Sequence, residues 1–523
     1  MSEQASGAPL GGGAGRTLAP GPRSATVIPP SGRPAEHGRG AGRHLVVIGA
    51  GITGLAAARA ARQQGLRVTV LEAGPCPGGK LALGEVAGVQ IDLGAESILA
   101  RRPEGTDLAA QIGLTGDLVH PATISAGIWS RGRLRTLPAG HLMGVPGDLR
   151  ALADSGILSE QGVARAQADQ TLPPTPVDGD VSVGAFVAAR MGREVSDRLV
   201  EPLLGGVYAG HAERLSLRAT IPQLAPLAAA GTPLGEGVRA LLDAAAAARP
   251  AGPPPPVFAG LRGGVGRLAV ELAAANEADG IDTRFGTAVT SLKQETGTGT
   301  AAGSAAGTGW RLTLSDGTSL TADAVVLAVP AHAAARLLAD LAGPAANALT
   351  EIEYGSVAIV TLAVPRAGLG DAELPGSGFL VPAVEGRSIK AATFSTAKWP
   401  WLADSAGEQD LAVLRASIGR AGETAELDRD DADLVTMVRT DLAAATGLSA
   451  TPVDTHVQRW TDSLPQYTVG HLDRVARIRA ALPAGTAVAG AAYDGVGIPA
   501  CIASAHAAVH SLTTTWNERP DRP

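Results

Sequence analysis

Leu45-Val46-Val47-Ile48-Gly49-Ala50-Gly51-Ile52-Thr53-Gly54 is the stretch on which the fold turns. Four apolar residues predict a short buried strand. The G-x-G-x-x-G that follows opens a helix predicted over about Ile52–Gln64, with Gly65 where a C-terminal cap belongs. Arg67-Val68-Thr69-Val70-Leu71 predicts a second strand, and Glu72 stands at its end. Together these make one β-α-β unit of about thirty residues. In a chain with 68 glycines the hexapeptide alone says little. The strand before it, the helix after it and the acid at the end of the next strand make it a dinucleotide site. Gly49 permits the tight turn, Gly51 lets the backbone approach a pyrophosphate, and Gly54 lets helix and strand pack closely. The helix N-terminus, with Ala50, Ile52 and Thr53 in the same loop, offers N–H groups and a positive dipole end to phosphate. Glu72 is placed to accept hydrogen bonds from ribose hydroxyls.

Outward from this unit, the chain has 523 residues, too many for one core, so two or three domains are expected. Hydrophobic residues make up 45% and charged residues 18%, as in a soluble globular protein. Aromatics are only 3%, so the core must be built from Ala, Val, Leu and Ile. A net charge of -7 gives no nucleic-acid footprint. Cys76 and Cys501 make neither a disulfide framework nor a zinc set and fit a reducing compartment, so a cytoplasmic location is expected. No apolar run reaches the roughly 20 residues of a membrane span. Residues 1–43 are rich in Gly, Ala, Pro and Ser, lack a signal-peptide apolar region, and read as a disordered extension.

Further along, 73–97 reads as irregular and Gly-rich, and about 105–227 as mostly helical with a Pro/Asp linker at 171–180. The Ala and Pro runs of 244–256 read as a surface insertion, and Arg267–Asn276 as a helix. Residues 295–309 form a low-complexity Gly/Thr loop. Residues 310–330 read as β, with Asp316-Gly317 as a hairpin turn. A mixed region spans 341–482, and 487–512 reads as strand, Gly-rich turn and helix.

Two loops then name the ligand. Pro77-Gly78-Gly79-Lys80 follows Glu72 closely, and Asp92-Leu93-Gly94-Ala95-Glu96-Ser97 comes next. With these the chain resembles the FAD-dependent amine oxidase and protoporphyrinogen oxidase superfamily. The resemblance implies an α/β (α+β) fold: a Rossmann-like FAD-binding domain of the amine oxidase/PHBH type, a discontinuous substrate domain and a helical insertion. It implies FAD as cofactor, with Ala73, Gly79, Lys80, Gly94, Ala95, Glu96, Ser97 and Val289 along it. Gly490-Ala491-Ala492-Tyr493-Asp494-Gly495-Val496-Gly497-Ile498-Pro499 precedes the last helix. Gly490, Val496, Gly497 and Ile498 are expected there at the flavin, where a helix N-terminus stabilises negative charge on the reduced ring. The implied segments are a 1–43 extension, FAD-binding 44–104, helical 105–227, FAD-binding 228–340, substrate sheet 341–482, FAD-binding 483–516 and a 517–523 tail.

Three stretches are similar to the porphyrinogen oxidases within that superfamily: Glu201–Gly210 continuing to Leu215-Ser216-Leu217, Phe394–Pro400, and Pro465-Gln466-Tyr467-Thr468-Val469-Gly470-His471. This implies six-electron oxidation of a porphyrinogen, with O2 as acceptor and H2O2 as product. Ala95–Pro103 looks like the Gram-positive branch, whose substrate is coproporphyrinogen III. On that reading Arg102 is the first candidate propionate partner and Lys390 and Lys398 the next. Gly206 and Tyr208 lie at the substrate face, and Trp399 near the cofactor. His471 is a candidate proton acceptor, with a structural role preferred; Cys76 reads as inert. No Ser-His-Asp set, metal cluster or Cys nucleophile stands out, and flavin chemistry needs none. The competing readings are a protoporphyrinogen IX oxidase, an amine oxidase or carotenoid desaturase on the same fold, and a flavin-free binding module like those that hold prenylated GTPases (GDI-like). Expected partners are the porphyrinogen, O2 and a haem-pathway chelatase. Peripheral membrane contact through an apolar face of 105–227 stays open.

Overall fold

His44–Ile48 is buried along its whole length, and so are the four residues Ala324–Leu327. Such unbroken apolar runs belong to parallel strands covered on both faces. In the computed structural model of the protein they lie side by side in a five-stranded parallel sheet. Its order is Asp282–Arg284, Arg67–Leu71, His44–Ile48, Ala324–Leu327, Thr486–Val488. The structure describes residues 42–249, 256–296, 308–370, 372 and 374–517. Most of the expected N-terminal extension, prolines 253–255, the centre of the Gly/Thr loop and the tail from 518 lie outside the described residues.

Side chains of the central strand alternate between two cores. Leu45 and Val47 face the first helix, Ile52–Gln63, and the last, Ile498–Asn517. Val46 and Ile48 face the antiparallel hairpins of residues 289–322, where Trp310 is fully buried, and the helices Ala331–Leu338 and Gly343–Thr350. The first helix ends as expected. Gly65 takes φ +81° and donates to the Arg62 carbonyl. Asp316-Gly317 also turns as read, with Gly317 at φ +82° and Leu314 N–H donating to Thr318 O at 2.9 Å.

A second, seven-stranded sheet runs Asp454–Pro465, Tyr354–Pro365, Leu411–Ile418, Ile389–Thr393, Gly378–Leu380, Gly127–Ser130, Arg133–Thr136. Its last two strands correct the expectation of a mostly helical region from 105. Between 113 and 148 the chain makes short strands, and helices resume only at Leu149. The Arg131-Gly132 turn, with φ of 54° and 72°, was the local sign of that hairpin. Residues 73–97 likewise contain a hairpin, Leu83–Val86 with Val89–Asp92, turning at Ala87-Gly88. The helices from Leu149 to Ala247 share one apolar core that includes Leu152, Phe186, Leu204 and Tyr208. Among the described residues no helix is long and apolar enough to cross a membrane, and no His/Cys/Asp/Glu group is arranged to hold a metal.

Candidate functional site

The first helix begins at Ile52 with no side-chain cap and no acid in its first turn, so its N–H groups are left for a ligand. A Cβ built on Gly51 meets nothing within 4 Å, which marks open space against the helix end. Gly78 pairs with Gly51 and donates to Ala50 O at 2.9 Å. A Cβ on Gly79 would lie 3.6 Å from Gly51 Cα. Lys80 has no carboxylate partner among the described residues. Burial pushes its ammonium below the usual lysine value, and Cys501 of the last helix acts on it in the opposite direction. A desolvated cation, bare N–H groups and open space beside glycine fit a pyrophosphate.

Glu72 closes the outer end of this cradle. Its carboxylate accepts from Ala50 N and Gly74 N, both at 2.7 Å. Residues 284–287 hydrogen-bond along 72–74, so the exposed Ala73 lies next to the segment leading to Val289. Gly51→Val is expected to fold with the Tm of flavin-free wild type, because a Cβ there meets no protein atom within 4 Å, and to purify without flavin absorbance even after FAD is added. Full flavin content in that variant would remove Gly51 from the site.

The loop Gly94-Ala95-Glu96-Ser97 is held by an ion trio. Glu96 accepts from Lys398 Nζ at 2.5 Å and from Arg415 at 2.6 Å. Arg415 also donates to Gly94 O, and Lys398 to Ser97 Oγ. Burial alone would raise the Glu96 carboxyl, but Lys398 and Arg415 outweigh it and hold the group at about 2. Gly94 is required: a Cβ there would overlap the Lys80 carbonyl, and Trp460 packs 3.3 Å away while its Nε1 donates to Leu93 O. Ala95 N donates to that same Lys80 carbonyl at 3.2 Å, which joins this loop to the pyrophosphate cradle.

The distant stretches converge on the same place. Gln466 Nε2 donates to Tyr208 O at 2.7 Å, and Ser216 N donates to Tyr467 O at 2.7 Å. The Tyr467 hydroxyl donates to Ala491 O at 2.7 Å and accepts from Gly495 N at 2.6 Å. One phenol thus ties the 465–471 stretch to the C-terminal glycine loop. A Cβ built on Gly490, which sits at φ +125°, would lie 3.6 Å from Thr53 Oγ1, so that loop adjoins the first helix. The last helix starts at Ile498, just past Gly497, with no acid in its first turn. Val496, Leu380, Tyr208 and Tyr467 pack in one apolar cluster, and Gly206 is exposed, with only Leu380 within 4 Å of its Cβ position.

Several expected contacts are engaged within the protein itself. Arg102 is ion-paired with Glu104, two residues on, and stays 43% exposed, so its charge is engaged at the surface. Lys398 is neutralised by Glu96, a partner 302 residues away in sequence. Trp399 is 2% exposed, packed on Gly260 and in a core with Ile91, Leu402 and Val413. His471 is fully buried, stacked on Tyr467 at 3.8 Å, and Nε2 bonds Tyr493 O at 3.2 Å. Burial holds it near 4, hence neutral. Lys390 is the exception among the cations. It is 6% exposed and carries no ion pair among the described residues, and burial, then Arg420, pushes it down to about 7. Arg415 and Arg420 went unread. For Arg415 the signal is that it interrupts the apolar strand Leu411–Ile418.

Residues 52–512 match the family described as flavin containing amine oxidoreductase. The chain is 37% identical over 476 residues to coproporphyrinogen III oxidase of Mycobacterium leprae, covering 90% of this chain and 98% of that protein. It is 34% identical to coproporphyrinogen III oxidase of Bacillus subtilis over 486 residues, 90% of this chain and 98% of the other. The crystal structure of a putative protoporphyrinogen oxidase from Exiguobacterium superposes with a TM-score of 0.76 at 33% identity, over 90% of this chain and 99% of that one.

Proposed function

Because the chain belongs to the flavin containing amine oxidoreductase family, we propose that it oxidises coproporphyrinogen III to coproporphyrin III with FAD and O2, releasing H2O2 in haem biosynthesis. The observation that carries this reading is the nearly end-to-end similarity to coproporphyrinogen III oxidases. The hydrogen bonds that join Gln466 and Tyr467 to Tyr208 and the 490–497 loop support it. The enzyme works in the cytoplasm, and its metal-free product goes on to a chelatase.

FAD, when bound, supplies hydride acceptance from the substrate's meso carbon and return of the electrons to O2. The chain's own part is binding, orientation and exclusion of water. The N-terminus of helix Ile52–Gln63 and the desolvated Lys80 hold the diphosphate, and the Glu72 carboxylate takes the ribose. The acid-free N-terminus of the last helix would offer a positive dipole end to a bound flavin. Tyr467 keeps that loop in place by holding Ala491 O and Gly495 N at once. His471 is neutral and fully buried, stacked on Tyr467, with Nε2 donating to the Tyr493 carbonyl, and its part is structural. The pyrrole N–H proton is released to water.

The test is aerobic incubation of the FAD-loaded enzyme with coproporphyrinogen III. Porphyrin fluorescence should rise well above the autoxidation control, with three H2O2 formed per porphyrin, as a six-electron oxidation by O2 demands. No rise above the control, or faster turnover of protoporphyrinogen IX, overturns the assignment.

A further inference from the structure

Strand Ile389–Thr393 carries an irregularity at one position. Ile389 pairs with Ile418 and Ala391 with Ser417, so Lys390 is an extra residue with no partner on the neighbouring strand. Bulges of this kind re-aim side chains and gather next to active sites. Ile389 and Ala392, three apart, both point into the core beneath the sheet. Lys390 and Ala391 are therefore left on the opposite face, toward helix Glu201–Tyr208. Without the bulge, strict alternation would not put Ile389 and Ala392 on one side.

Lys390 arrives there beside a second buried cation. Arg420, 7% exposed, donates to Val381 O at 3.1 Å, while Val381 N donates to Lys390 O at 2.9 Å. Val381 thus links the Arg420 guanidinium to the Lys390 backbone. Among the described residues the carboxylate that reaches the pair is Glu423, which is half-exposed, lies 3.5 Å from Arg420 and is shared at 3.5 Å with His211. Glu201, the next acid, is already held by His211 and Ala212 N. Two buried cations share one outlying carboxylate, which is the reverse of the usual rule that buried charge is paired. Such a pair is built for an anion that comes from outside the chain.

The neighbourhood says which anion. Val381 follows Leu380, the side chain under the exposed Gly206 and in the cluster of Val496, Tyr208 and Tyr467. The two cations therefore stand beside an apolar cluster that also packs on Val496 of the C-terminal loop. A flat apolar body with a carboxylate at its far end fits that arrangement. Coproporphyrinogen has four propionates. In protoporphyrinogen two of them are replaced by uncharged vinyl groups. We infer that Lys390 and Arg420 form a carboxylate clamp that reads the propionates coproporphyrinogen has and protoporphyrinogen lacks. This rests on the proposed reaction and names the residues that set its specificity.

Lys390→Met and Arg420→Met are made in the full chain and loaded with FAD. For each, kcat/KM is measured with coproporphyrinogen III and with protoporphyrinogen IX, and coproporphyrin III affinity by fluorescence titration. Each variant is expected to lose roughly 10–100-fold in kcat/KM for coproporphyrinogen, the worth of a charge-assisted contact. The loss for protoporphyrinogen should be several-fold smaller, the affinity for coproporphyrin III should fall in parallel, and Lys390→Arg should restore most of both. Equal losses on both substrates, or unchanged coproporphyrin affinity, overturn the clamp. Wild-type turnover of coproporphyrinogen tests the reaction separately, because the titration reads the clamp without any turnover.

Discussion

Glu96→Gln is expected to lower folding stability by about 3–5 kcal/mol, because it leaves Lys398 and Arg415 buried without their shared carboxylate. The side chains of the trio are 9–16% exposed, so water cannot take over the role of Glu96. Glutamine keeps the shape and removes only the charge. For a chain of this length a kilocalorie moves Tm by roughly one degree, so a fall of about 3–5 °C is expected in a thermal melt. Adding Lys398→Met to Glu96→Gln should recover part of the loss, since one orphaned cation is removed. A fall below about 1 °C would mean that the two cations find other compensation.

The same residue predicts a pH signature. Its carboxyl is held at about 2 in the folded protein, below its ordinary value of 4.5. A depressed carboxyl contributes stability that is present above the unfolded value and lost as pH falls through the folded one. The Tm difference between wild type and Glu96→Gln should therefore be full above pH 4.5 and shrink toward pH 2.

Gly54→Val is the second large effect. A Cβ at that position would overlap the Gly49 carbonyl oxygen and lie 2.9 Å from its carbon and 3.3 Å from Val47 Cγ1. The obstacles are mostly backbone, at the end of the central strand of the parallel sheet, and cannot swing aside as a side-chain tip can. Overpacking usually costs about 1–3 kcal/mol, and a clash with fixed backbone belongs at or above the top of that range. The variant is expected to accumulate poorly or to melt several degrees lower, and in either case to hold no FAD. Gly51→Val, three residues earlier, should be folded and flavin-free. A Gly54→Val protein with normal Tm and bound FAD would contradict the helix–strand packing drawn here.

The contrast between these glycines measures how far the sequence could be read. The strand, the turn glycines, the helix, Gly65 and Glu72 lie within about thirty residues, and each rule involved is local. The final strand-turn-helix and the Asp316-Gly317 hairpin were legible for the same reason. The hairpins at 83–92 and 127–136 were not, because strands of four residues draw their stability from partners elsewhere. Gly127–Ser130 joins its sheet through Gly378–Leu380, some 250 residues on.

Charged residues divide in the same way. Lys398, Lys390 and Arg102 look alike in a sequence: each is a cation with no stated partner. Folding gave Lys398 to Glu96 and Arg102 to Glu104, and left Lys390 beside Arg420 on a bulge. The sequence by itself determined the dinucleotide-binding unit and the family, because backbone geometry at glycine and a run of motif residues are properties of neighbours in the chain. The tertiary structure decided that Lys398 is paired and Lys390 is not, because a charge is neutralised by whatever the fold brings within a few ångströms.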